Sequence, residues 1–137
     1  MRKLAALDVG TVRIGVAVSD PETRLAMPFC TVHVKEHKDP CAHIAQLLSE
    51  LGITHVIVGW PLELDGTQGP AVRRTKQFLH KLKSSMPSLK VAVQDERLSS
   101  SAAEQALQIC ETQGSKKKSL VDAMAAAIIL QTYIDKH

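Results

Sequence analysis

The apolar positions of this 137-residue chain change period along its length. Lys3-Leu-Ala-Ala-Leu-Asp8 is a short apolar run bounded by Gly10, which predicts a buried strand. Asp8 to Thr11 turns the chain. Arg13 to Ser19 alternates in part and is rich in Val and Ile, predicting a second strand paired to the first as a hairpin and ended by Asp20-Pro21. Cys30 to Val34 is β-branched and predicts a third strand, so the opening segment reads as an antiparallel meander. The period then becomes helical. Asp39-Pro40 has the form of an N-cap followed by proline, Ile44, Leu47, Leu48 and Leu51 share one face, and Gly52 ends the helix. His55 to Val58 predicts a central strand, and Gly59 to Gly69 a loop. Pro70 opens a helix with an apolar face of Val72, Phe78, Leu79 and Leu82 and a polar face carrying Arg73, Arg74, Lys76, Lys81 and Lys83. Leu89 to Val93 predicts a strand, Ser101-x-x-Glu104 a capping box for a helix to about Gln113, and Leu120 to Ile134 a last, Ala-rich helix. This order predicts an α/β fold, a mixed five-stranded sheet with helices on both faces.

Length and composition narrow the class. A chain of this length suits one domain over residues 1–137. With 45% apolar and 23% charged residues it is not a disordered sequence. No apolar run approaches the roughly 18 residues of a membrane span. Asp8 interrupts the N-terminal run before a signal-peptide core, so the expected location is the cytoplasm. Three cysteines without a Cys-x-x-Cys pair do not form a secreted disulfide framework. A net charge of +3 permits a polyanionic partner. One Trp, one Tyr and two Phe are too few for an extended base-stacking platform.

Candidate chemistry lies at the ends of the elements. Asp8 ends the first strand, Asp95-Glu96 follows the last, and Asp122 enters the final helix. Parallel strands align their carboxyl ends along one edge, where α/β sheets hold their sites. Three converging carboxylates form a hard oxygen site suited to Mg²⁺ or Mn²⁺. Each acid also has a local explanation: Asp8 as a cap of the Gly10 turn, Glu96 as a partner of Arg97, and Asp122 as an acid favoured at a helix N-terminus.

Four segments taken together carry a resemblance. Asp8-Val-Gly-Thr-Val-Arg-Ile-Gly-Val-Ala-Val18, Val58-Gly-Trp-Pro-Leu62 with Asp65-Gly-Thr67, Asp95-Glu-Arg-Leu-Ser99 and Val121-Asp-Ala-Met-Ala-Ala126 resemble the YqgF/RuvX family over nearly the whole chain. That family is known for pre-16S ribosomal RNA nucleases and formerly for Holliday junction resolvases. The resemblance implies a ribonuclease-H-like fold and a metal-dependent nuclease of structured nucleic acid. Processing of the 5′ end of pre-16S rRNA comes first, and resolution of branched DNA second. It implies Asp8, Glu96 and Asp122 as catalytic metal ligands for Mg²⁺ or Mn²⁺. It also implies Thr11, Arg13, Arg73, Arg74, Lys117 and Lys118 as phosphate-binding groups. Trp60 and Ser100 depart mildly from the family pattern without removing a carboxylate. The expected partner is nucleic acid, with ribosomal precursor particles, in a monomer or weak homodimer.

Other features bear on the alternatives. The Asp8-x-Gly-Thr11 turn also resembles the phosphate loop of actin-like kinases and chaperone ATPases, which enclose a nucleotide between two such domains. A third reading is a non-catalytic nucleotide- or RNA-binding assembly factor. Cys30, His33, His37, Cys41 and His43 lack finger-like spacing, so the expectation is buried thiols and solvated histidines, not a zinc site. Lys116 to Lys118 form a basic run close to Asp122, an expected phosphate contact.

Overall fold

The computed structural model describes residues 2–60, 69–95 and 121–136. The expected Asp65 loop, the expected helix from Ser101, the basic run at Lys116–Lys118 and Glu96 lie outside them. Five strands, β1 (Ala5–Val9), β2 (Arg13–Ser19), β3 (Ala26–His33), β4 (His55–Trp60) and β5 (Lys90–Asp95), form one sheet in the order β3-β2-β1-β4-β5. β1, β2 and β3 pair antiparallel, whereas β4 runs parallel to both β1 and β5. The expected meander and parallel half-sheet are therefore both present. The carboxyl ends of β1, β4 and β5 share one edge.

The alternation of side chains divides the interior into two layers. Leu7, Ile14, Val16, Val56 and Val58 are buried with Ile44 and Leu48 of α1 (Pro40–Glu50) and Leu82 of α2 (Pro70–Ser85). Leu4, Ala6, Ala17 and Ile57 are buried on the other face with Ala126, Ile129, Leu130 and Ile134 of α3 (Val121–Lys136). The second layer is thin. Alanines on both sides of it let the α3 backbone come close to β1 and β2. Burial of an apolar residue contributes roughly 1.5–3 kcal/mol, so these two layers dominate the stability of the sheet.

Local signals explain α1 well. The Asp39 side chain accepts a hydrogen bond from the Ala42 N–H at 3.1 Å, and Pro40 takes the first helical position. Gly52, at a φ of 70°, follows the helix in the left-handed region.

Several boundaries differ from expectation, and two of them have a tertiary reason. β3 begins at Ala26 instead of Cys30, because Ala26, Met27 and Pro28 pair with Ser19, Val18 and Ala17 of β2, and the Ala26 N–H donates to Gln131 Oε1 at 2.8 Å from the distant α3. Pro28 is tolerated because β3 is an edge strand, where one missing N–H breaks no second ladder. After β3 the chain forms a 3₁₀ turn at Val34–Glu36. β4 extends through Gly59 and Trp60, which the sequence places in a loop, because they pair with Gln94 and Asp95 of β5.

Ser19 closes the far end of the β1–β2 pair. Its buried hydroxyl accepts from the Leu4 N–H at 2.7 Å, and its own N–H donates to the Leu4 carbonyl at 2.8 Å. Ser19→Ala leaves the Leu4 N–H unsatisfied and is expected to cost about 1–3 kcal/mol. Denaturant unfolding measures it; a loss well below that range would mean that the hydroxyl is dispensable.

Candidate functional site: two carboxylates over a glycine

Asp8 and Asp122 are brought together by a glycine. Asp8 pairs directly with Gly15 across β1 and β2. Residues opposite one another in an antiparallel pair share a face, with side chains roughly 5 Å apart. Ala6 and Ala17, two positions back on each strand, face α3, so Asp8 and the bare α-carbon of Gly15 face α3 as well. A Cβ placed on Gly15 would lie 1.9 Å from the Asp122 carbonyl oxygen and 2.9 Å from the Ala123 nitrogen. The first turn of α3 thus rests on the space that a side chain at Gly15 would fill. That contact sets Asp122 beside Asp8.

Arg13 completes the cluster. It lies two residues before Gly15 on the same face of β2. Its Nε is 3.0 Å from Asp122 Oδ2, with Arg13 54% and Asp122 24% exposed. The sequence reading places Arg13 at a phosphate; the structure places it on a carboxylate. An ion pair this exposed contributes only about 0–1 kcal/mol, so it is easily exchanged. The turn that feeds β2 is tight: the Gly10 N–H donates to the Arg13 carbonyl at 3.0 Å, and a Cβ on Gly10 would meet that oxygen at 2.6 Å.

The remaining predicted residues are distributed more widely. Thr11 is exposed in the β1–β2 turn. It lines a cavity of about 670 Å³ on the other face of the sheet, between the turn, α1 and α2. Arg74 lines the same cavity. Arg73, though adjacent in sequence, is exposed on α2 outside that lining. Lys76 stands over the Trp60 ring at 5.8 Å from its centroid. Glu96, Lys117 and Lys118 lie outside the described residues; the segment before Glu96 ends in β5 at Asp95, which pairs with Trp60. Sequence reasoning missed Lys38 as a wall of the cavity. It placed Lys81 only on a polar face, although its spacing of seven from Arg74 puts both on one side of α2.

The chemistry of the donor set fits a divalent ion. Asp8 and Asp122 offer hard oxygen ligands on one face, and a cationic group already sits at Asp122. Among the described residues alone, no three His, Cys, Asp or Glu side chains form a group able to hold a metal. The same holds for the cysteine–histidine segment. Cys41 is buried in α1, Cys30 is half-buried, and the His37 and His43 rings stack at 3.9 Å. Burial pushes both thiols above their ordinary pKa; at Cys41 Asp39 adds to this and Lys81 opposes it. Zinc requires the thiolate, so both shifts oppose zinc.

Two outcomes follow. Gly15→Ala is expected to push the start of α3 off the sheet, cost about 1–3 kcal/mol or more as overpacking does, and weaken Mn²⁺ binding. Thermal unfolding and Mn²⁺ calorimetry measure both effects, and an alanine variant indistinguishable from wild type would refute the role given to Gly15. Cys30 and Cys41 are expected to alkylate more slowly at pH 8 in the native protein than after unfolding, with no zinc retained. Rapid native alkylation or stoichiometric zinc would contradict the assignment.

Comparison with known proteins places this geometry. The family model described as Holliday junction resolvase, RuvX, matches residues 2–136. A relative from Chloroflexus aurantiacus is 42% identical over 132 residues, spanning 96% of this chain and 86% of the relative. One from Geobacillus thermodenitrificans is 38% identical over 137 residues, spanning 98% of each. Both bear the name pre-16S rRNA nuclease. Among solved structures, Thermus thermophilus RuvC bound to a Holliday junction substrate superposes with a TM-score of 0.58 at 16% identity, covering 99% of this chain and 95% of that one. The fowlpox virus Holliday junction resolvase does so with a TM-score of 0.57 at 13% identity, covering 98% and 99%. At these identities the structures establish the ribonuclease-H-like fold expected from the sequence. The match along nearly the entire length, with relatives over the same span, shows that the chain belongs to the RuvX family.

Proposed function

We propose that this protein is a divalent-metal-dependent nuclease that hydrolyses phosphodiesters in structured RNA, with the pre-16S rRNA of its relatives' name as the first substrate. The observation that carries the reading is the seating of the first turn of α3 on Gly15, which sets Asp122 beside Asp8 at the sheet edge. The family description favours a second substrate, a four-way DNA junction.

Asp8 and Asp122 would hold the ion, with Glu96 as third ligand. Glu96 follows directly in sequence on Asp95, the last residue of β5. Bound there, Mg²⁺ or Mn²⁺ supplies Lewis-acid stabilisation of the charge that develops on the phosphodiester oxygens. The chain's own groups do the rest. Asp8 is anchored by the β1 ladder and Asp122 by the α3 backbone, so the two carboxylates are fixed before substrate arrives. Arg13 holds a positive charge at Asp122 and is exposed enough to turn from it toward a phosphate. Thr11, Arg73, Arg74, Lys117 and Lys118 serve as backbone contacts, which position a strand without reading its sequence.

The test compares structured pre-16S RNA, single-stranded RNA and a four-way DNA junction, each with Mn²⁺ and with chelator. Cleavage of the RNA in Mn²⁺ alone is expected. Asp8→Asn, Glu96→Gln and Asp122→Asn should each lower it by about 10²-fold or more while the fold is retained. Preferential cleavage of the junction would transfer the reading to DNA. Near-wild-type cleavage by any one variant would remove that residue from the metal site.

A further inference from the structure

The carboxylates account for one face of the β1–β2 turn. The cavity of about 670 Å³ on its other face has no part in that chemistry. Its volume falls within the range of about 300–1,000 Å³ typical of small-molecule sites. Its floor is apolar, built from Val9, Ile14, Val34 and Phe78. Its rim carries Lys38, Arg74 and Lys81 against a single acid, Asp39. That acid is committed, since its carboxylate caps α1 through the Ala42 N–H. The rim therefore presents an excess of positive charge above an apolar floor that includes the Phe78 ring. Cys41, also in the wall, adds no negative charge, because burial keeps its thiol protonated.

This combination selects a ligand class. Inorganic phosphate would leave the apolar floor without a partner. An apolar ligand would give the three rim cations no counter-charge to bind. A nucleoside phosphate meets both requirements, its base on Phe78 and its phosphate at the rim. The position is also apt. Gly10 and Thr11 line the cavity while Asp8 stands on the far side of the same turn. Three residues of chain span at most about 11 Å, so the cavity and the carboxylates are within reach of neighbouring units of one strand.

We propose that the cavity between the β1–β2 turn, α1 and α2 is a nucleotide subsite that takes one nucleoside phosphate, with Lys38, Arg74 and Lys81 on the phosphate and Phe78 against the base. It deepens the nuclease reading and rests on it only for the source of the ligand, an unpaired nucleotide of the substrate strand. The same chemistry would accept a free nucleotide.

The experiment titrates full-length protein carrying Asp8→Asn, which prevents cutting, with AMP, UMP, ribose 5-phosphate and inorganic phosphate by calorimetry. The monophosphates are expected to bind about tenfold or more tighter than ribose 5-phosphate, as base–aromatic contacts allow. Lys38→Ala combined with Lys81→Ala, both at exposed positions, should weaken them by about tenfold or more. Phe78→Leu, which keeps an apolar wall, should erase the preference over ribose 5-phosphate while leaving the phosphate affinity. A second arm adds competitors to bound AMP. Displacement by an unpaired oligonucleotide but not by a duplex assigns the site to the substrate strand. Displacement by neither assigns it to a free nucleotide. Equal affinity for all four ligands, or lysine variants that bind as their parent does, would overturn the subsite. If the variant binds AMP in this way yet the wild-type protein cuts no nucleic acid in Mn²⁺, the subsite stands and the nuclease reading falls instead.

Discussion

The close approach of the α3 backbone to Gly15 is the contact on which the rest of this structure depends. Sheet and helix pack here with no side chain between them, since a Cβ at Gly15 would lie 1.9 Å from the Asp122 carbonyl oxygen. Ala6, Ala17 and Ala126 continue the same thin layer along the helix, and Ile129, Leu130 and Ile134 thicken it toward the other end. The helix therefore descends onto the sheet at its N-terminus. The same descent that buries the alanines puts Asp122 next to Asp8. Packing and chemistry share one cause.

The β1–β2 turn divides two kinds of surface. On the α3 face stand two carboxylates and Arg13, an arrangement that suits a hard cation. On the α1–α2 face lies a basic cavity with an apolar floor. A nucleic acid presents both matching elements, a phosphodiester to be polarised and bases that leave water when given a surface. The local ion pair between Arg13 and Asp122 is weak by its exposure. Arg13 can therefore serve the carboxylate in the free protein and a phosphate in a complex without a large penalty.

Much of this was legible along the chain where the determinants are local. Asp39-Pro40 and the spacing of Ile44, Leu47, Leu48 and Leu51 specify α1 almost to the residue, because cap, proline and apolar stripe all lie within the helix itself. Asp8 and Asp122 were visible as acids at element ends. What was not legible depends on partners far away in sequence. The start of β3 pairs with β2 and is tied to Gln131, 105 residues later. The last residues of β4 depend on pairing with β5, which overrides the turn-forming character of Gly59. Arg73 and Arg74 look like one basic doublet, but successive helix positions point about 100° apart, so only Arg74 reaches the cavity. Gly15 gave no signal of its importance, since a glycine within a strand reads only as a weak point until the element above it is known. The cavity wall at Lys38 had no local signature at all.

The most direct test of the central claim locates the ion without reference to catalysis. Substoichiometric Mn²⁺ added to isotope-labelled protein broadens the amide signals of residues close to it. The account predicts broadening centred on Asp8, Gly15, Asp122 and Ala123, weakening toward α1 and α2, and lost in both Asp8→Asn and Asp122→Asn. Broadening centred elsewhere, or unchanged by either substitution, would contradict the claim that the seating of α3 on Gly15 builds a metal site.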